Sequence, residues 1–134
     1  MYTTDDVLER GIILISHGKS SIKMKNEIFV KNYGCKPNIV TFLWSILMTN
    51  SSLKDEKLKH LFWTLSFLKT YELEFSLAFK FNVDRKTFRK HVLAVMVGIV
   101  DLRDKVVRNV HSLNNNINVF VYDLILLKLM CNVL

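Results

Sequence analysis

Arg85, Lys86, Arg89 and Lys90 stand within six residues directly behind Asp84, and this is the strongest chemical signal in the sequence. On a helix, Arg85 and Arg89 share one row and Lys86 and Lys90 another, because residues four apart lie on the same face. Asp84 suits the N-cap, where its carboxylate accepts from the orphan N–H groups of the first turn. A helix start already attracts phosphate through those N–H groups, and four cations beside it extend the attraction. Laid in a major groove, such a helix would touch phosphates and base edges with Arg85, Lys86, Arg89 and Lys90, with Thr87 and His91 as polar helpers. The competing reading is a solvated helix face, which a charge run usually is. The residues alone leave both open.

Other constellations carry less. Gly18-Lys19-Ser20 matches the end of a phosphate-binding loop, but that motif needs a glycine where this chain has Ile13. His17, His60, His91 and His111 are scattered singly, without HExxH spacing, so no metal ligand is expected among them. Cys35 and Cys131 lie far apart with no CxxC, which predicts two free thiols in a reducing, intracellular compartment. No Ser-His-Asp or Cys-His arrangement can be supported from spacing. The expectation is therefore a protein with no catalytic residue, no cofactor site and no metal site.

Helices must position the cations. Residues 72–81 read as a short helix with Phe75, Ala78 and Phe79 inward, followed by a turn at Phe81-Asn82-Val83-Asp84. A longer helix then starts at Arg85, carries Phe88, Val92, Val95, Met96 and Ile99 on its apolar face, and extends to about residue 111. That is the outline of a helix-turn-helix. Two helices cannot bury enough surface by themselves, so a scaffold is required. It is supplied by expected helices over 26–33, with Ile28, Phe29 and Tyr33 as its stripe and Gly34 as terminator, and over 37–48, opened by Pro37. The latter would bury Val40, Leu43, Trp44 and Leu47. A further helix over 55–69 has Leu58, Leu61, Phe62, Leu65 and Leu68 on one side, and Trp44 and Trp63 sit on apolar stripes as core residues. The fold class expected is all-α, a small orthogonal helical bundle containing a helix-turn-helix. Gly11, Gly18, Ser20 and Ser21 suggest a loosely held leader over 1–24. After the domain at 25–112, residues 113–134 form an apolar C-terminal segment that fits either a short strand or a helix.

The chain has 134 residues, enough for one domain with a core, and 50% of them are hydrophobic, which excludes disorder. Its net charge of +7 favours polyanions such as nucleic acid or anionic membrane. The apolar run over 12–15 is too short for a signal peptide, and polar residues interrupt both 39–53 and 117–134, so a membrane span is not expected.

From Lys59 onward the chain reads KHLFWTLSFLKTYELEFSLAFKFNVDRKTFRKHVLAVMVGIVDL. This resembles the N-terminal helix-turn-helix region of Harbinger-type DDE transposases and their domesticated relatives. There a "hLLWaLlFLKxY" helix leads into "fgVdxkTFRKwv…aIadL", matched here by His60, Leu61, Trp63, Leu65, Phe67, Leu68, Lys69 and Tyr71. The second part is matched by Val83, Asp84, Lys86, Thr87, Phe88, Arg89, Lys90, Val92, Ile99, Asp101 and Leu102. NEIFVKNYGCKPNIVTFLWSIL is similar to the family's preceding stretch, so the resemblance spans about 26–110. His91 stands where the family has tryptophan, and Lys36 where it has a serine-like cap. The resemblance implies double-stranded DNA as partner and the nucleus as location. It also implies a catalytic domain with three metal-binding carboxylates, of which Asp123 could hold the first position. One carboxylate cannot hold two metal ions. The chain is thus expected to be a truncated, non-catalytic fragment that keeps the DNA-binding module. The alternatives are a protein-interaction module or self-association through the apolar segment at 113–134, and a membrane-associated small protein.

Overall fold

The computed structural model describes residues 1–15, 22–50, 53, 55–70 and 72–110. Among the described residues the order is α1 (Thr4–Ile15), α2 (Ile22–Tyr33), α3 (Pro37–Asn50), α4 (Leu58–Thr70), α5 (Glu74–Lys80) and α6 (Arg85–Val110), with no strand. The described residues therefore adopt the all-α class. The segment expected at 113–134 lies outside the described residues.

The bundle is built around α4. Its expected stripe of Leu58, Leu61, Phe62, Leu65 and Leu68 is buried, and so are His60, Trp63, Thr64 and Ser66 on its other sides. A helix buried all round belongs in the centre, and α4 packs against α1, α2, α5 and α6. Thr64 satisfies its hydroxyl by donating to the His60 carbonyl at 2.8 Å. One side of α4 joins the larger core, where Phe62 meets Phe29 and Tyr33 in ring contacts of 5.8 and 4.8 Å. From its other side Trp63 joins Leu77, Ala78, Phe81, Phe88 and Val92, the cluster that fastens α5 and α6 to the scaffold. α6 serves both cores: Phe88 and Val92 go to the second, Val95 and Ile99 to the first.

Local signals hold where neighbours alone decide them. Gly34 ends α2 at φ 73°, its N–H donating to the Val30 carbonyl at 2.7 Å, as a left-handed C′ residue should. Pro37 opens α3, and Val40, Leu43, Trp44 and Leu47 are buried.

Three expectations need correction. Residues 4–15 of the expected leader form α1, which buries Val7, Leu8, Gly11 and Ile12. Thr3 and Asp6 close its start reciprocally, Asp6 N–H donating to Thr3 Oγ1 at 3.2 Å and Thr3 N–H to Asp6 Oδ2 at 2.9 Å, a capping box written in the sequence as Thr-x-x-Asp. Gly11 marks close packing: a Cβ there would lie 2.4 Å from Phe29 Cε2, and the Tyr33 hydroxyl donates to the Gly11 carbonyl at 2.7 Å. Helix α4 begins at Leu58, three residues beyond the expected start, because Lys57 is its N-cap and donates its N–H to His60 Nδ1 at 3.0 Å. In α5 only Ala78 of the expected inward set is buried; Phe75 and Phe79 are 66% and 82% exposed, and Leu77 and Phe81 face the core instead. A seven-residue helix has one inward side, and positions 77, 78 and 81 share it while 75 and 79 lie opposite.

Candidate nucleic-acid interface

The turn that aims α6 is a Schellman motif. Val83 N–H donates to the Ala78 carbonyl at 3.0 Å and Asn82 N–H to the Phe79 carbonyl at 3.1 Å, with Asn82 in the left-handed region at φ 55°. Asparagine tolerates that conformation better than most residues with a side chain. Two residues later Asp84 caps α6, its Oδ1 accepting from Thr87 N–H at 2.9 Å and its Oδ2 from the Thr87 hydroxyl. These hydrogen bonds, the hydroxyl's first, hold the Asp84 carboxyl below its ordinary pKa. Helix entry is thus set from both sides of the turn.

The four cations expected at the site come together on the surface of the first two turns. Arg85, Lys86, Arg89 and Lys90 are all exposed. They are not equivalent. Glu74, at the start of α5, accepts from Arg85 Nε at 3.3 Å and from Arg89 Nε at 2.9 and 3.1 Å. The carboxylate is the less exposed partner, at 22% against 60% and 53% for the two arginines. Among the described residues no carboxylate pairs with Lys86 or Lys90. Arg85 and Arg89 therefore form one row that also ties α6 to α5, and the two lysines form a row open to solvent.

Thr87 and His91 stand differently from the cations. The Thr87 hydroxyl is engaged by Asp84, so it serves the cap. His91 turns inward: its Nδ1 lies 2.9 Å from Glu56 Oε2, and its ring stacks on His60 at 3.7 Å with 12° between planes. His60 Nδ1 lies 2.7 Å from the same carboxylate oxygen. Burial pushes the His60 pKa down to about 4, the neighbouring His91 and Lys59 add to this, and Glu56 opposes it, so His60 is neutral at pH 7. The two histidines that look isolated in the sequence thus meet across α4 and α6, while His17 and His111 lie outside the described residues. Only the four-residue interval from Glu56 to His60 hinted at this cluster. Trp63 packs against His60, Phe81 and Phe88 at 4.8, 6.3 and 5.8 Å and is buried, as a core residue.

No helix among the described residues is long and apolar enough to cross a membrane. Comparison with protein-family models, curated proteins and solved structures found no match to this chain.

Proposed function

We propose that this chain is a non-catalytic DNA-binding domain that lays the N-terminal half of α6 in the major groove of a duplex. The observation that carries this reading is the exposure of Arg85, Lys86, Arg89 and Lys90 together over two turns of a helix whose start is set by the Schellman turn and the Asp84 cap. Lys86 and Lys90 meet phosphates directly; Arg85 and Arg89 do so by exchanging Glu74 for phosphate oxygens, which accept their planar groups equally well. The net charge of +7 draws the protein to any duplex, and base contacts by the arginines would select among sequences. The resemblance to Harbinger-type transposases supports the same reading, and with it a transposase-derived module that acts in the nucleus without strand-transfer chemistry of its own.

Duplex binding by the Lys86→Ala/Lys90→Ala double variant tests the proposal. With two phosphate contacts gone, the slope of log affinity against log salt should fall by roughly 1.8, at about 0.9 per phosphate. Unchanged affinity and slope would sink it. A second reading, a helical protein-interaction module, is favoured by one observation: Leu73, Phe75 and Phe79 are 75%, 66% and 82% exposed on or beside α5. Concentration-dependent sedimentation of a chain that ignores duplex DNA would select it.

A further inference from the structure

We propose that Glu56, His60 and His91 form a binding site for a divalent first-row metal ion of the zinc class. Glu56 Oε2, His60 Nδ1 and His91 Nδ1 converge from the segment before α4, the first turn of α4 and the second turn of α6, all within 4.8 Å of one another. Two imidazole nitrogens and one carboxylate oxygen are the donor set of three-ligand zinc sites that keep a fourth position for water. The same set suits Co²⁺, Ni²⁺ and Cu²⁺, whereas Mg²⁺ and Ca²⁺ prefer oxygen alone. This site is independent of whether α6 reads DNA.

The contacts around His60 set a carboxylate beside an unprotonated imidazole nitrogen. Its Nδ1 accepts from Lys57 N–H at 3.0 Å, so it presents a lone pair on that side of the ring. An imidazole nitrogen holds either a lone pair or a proton, and one that accepts from Lys57 cannot also donate to Glu56. Yet Glu56 Oε2 is 2.7 Å away, on a side chain only 8% exposed. The proton donor that neutral imidazoles leave to this carboxylate is His91 Nδ1, 2.9 Å away in the tautomer that carries its proton there, and a metal cation would take that proton's place. In a tetrahedral zinc site, bond lengths of about 2.0–2.2 Å place ligand atoms roughly 3.3 Å apart. Loading therefore moves the Glu56 carboxylate back by about half an ångström on that geometry, fans the stacked rings apart so that their in-plane lone pairs meet, and replaces the Lys57 N–H bond to His60 Nδ1 by the ion, since that nitrogen has one lone pair. Glu56 has the freedom to do so: it precedes α4 and lines an open cleft of about 440 Å³ with Tyr2, Arg10, Trp44 and Lys59.

The test is a Co²⁺ titration of the chelator-stripped full chain without DNA, followed by Zn²⁺ competition. One equivalent of Co²⁺ should produce the visible absorption of a low-symmetry site and quench Trp63, whose ring is 4.8 Å from that of His60 and 6.1 Å from that of His91. Zn²⁺ should displace it, Mg²⁺ should not, and Zn²⁺ should raise the melting temperature. His91→Ala and Glu56→Gln should each weaken binding by tenfold or more, on the order expected for lost ligand contacts. His91 is 19% exposed, so its variant is the one expected to keep the fold, checked by circular dichroism before titration. No saturable signal, or binding by either variant as tight as by the wild type, overturns the proposal.

Discussion

Glu74→Gln should strengthen duplex binding, although the substituted residue itself is not placed to meet DNA. In the free protein its carboxylate holds Arg89 at 2.9 Å and Arg85 at 3.3 Å, so half of the cations at the start of α6 face a competing anion. Four positive charges are offset there by one negative charge, and the substitution removes the offset. The slope of log affinity against log salt, about 0.9 per neutralised phosphate, should stay as it is, because the arginines reach the same phosphates in both proteins and only the cost of leaving Glu74 is removed. Exposed ion pairs are worth about 0.2–1 kcal/mol each, so releasing two should tighten binding by about 1 kcal/mol, or roughly fivefold. Fluorescence anisotropy with a labelled duplex over a salt series measures both quantities. Glu9→Gln is the control, because Glu9 pairs with Lys25 at 2.7 Å between α1 and α2 and removes the same charge from elsewhere. If Glu74→Gln behaves like this control, the arginine row does not approach phosphate, and α6 is a solvated face.

Gly11→Ala should destabilise the protein even though the same change in an open helix gains about 1 kcal/mol. The added Cβ would stand 2.4 Å from Phe29 Cε2, and Phe29 is fully buried between the rings of Tyr33 and Phe62. Overpacking costs about 1–3 kcal/mol, and so severe an overlap takes the upper end, leaving a net loss of about 2 kcal/mol. The urea midpoint should drop by about 1 M at unchanged slope, and a rise would contradict the packing of α1. Asp84→Ala should lower the melting temperature, and the difference from wild type should depend on pH in acid only. Hydrogen bonds from Thr87 hold the folded-state carboxyl below its ordinary value of 3.8. Its contribution is therefore complete above that pH and is lost as pH falls through the lower folded value. Melts of both proteins should converge below pH 3.8; a constant gap would mean that the cap acts without its charge.

What could be read from the sequence was whatever a residue and its near neighbours settle between themselves. The Asp84 cap, the Gly34 terminator, the Pro37 start and the stripe of Phe88, Val92, Val95 and Ile99 all depend on intervals of a few residues, and each is found where expected. The Thr3 and Asp6 box rests on an equally short interval, whereas Gly11 reads as a break because a sequence does not show that Phe29 will lie against it.

The composition of the cation rows was equally local; their electrostatic state was not. Glu74 reaches Arg85 and Arg89 across a turn that folds two helices together, and so divides four similar charges into a clamped row and an open one. His91 occupies a helical position beside those cations, yet the stacking of α6 on α4 turns its ring toward His60 and Glu56, 35 residues away from the latter along the chain. Periodicity and capping arise from the chain's own short-range geometry, so the helices after α1 and the basic start of α6 were determined by the sequence alone. Which charges stay free, and which titratable groups meet, depends on how helices pack across the bundle, and only the tertiary structure decided that.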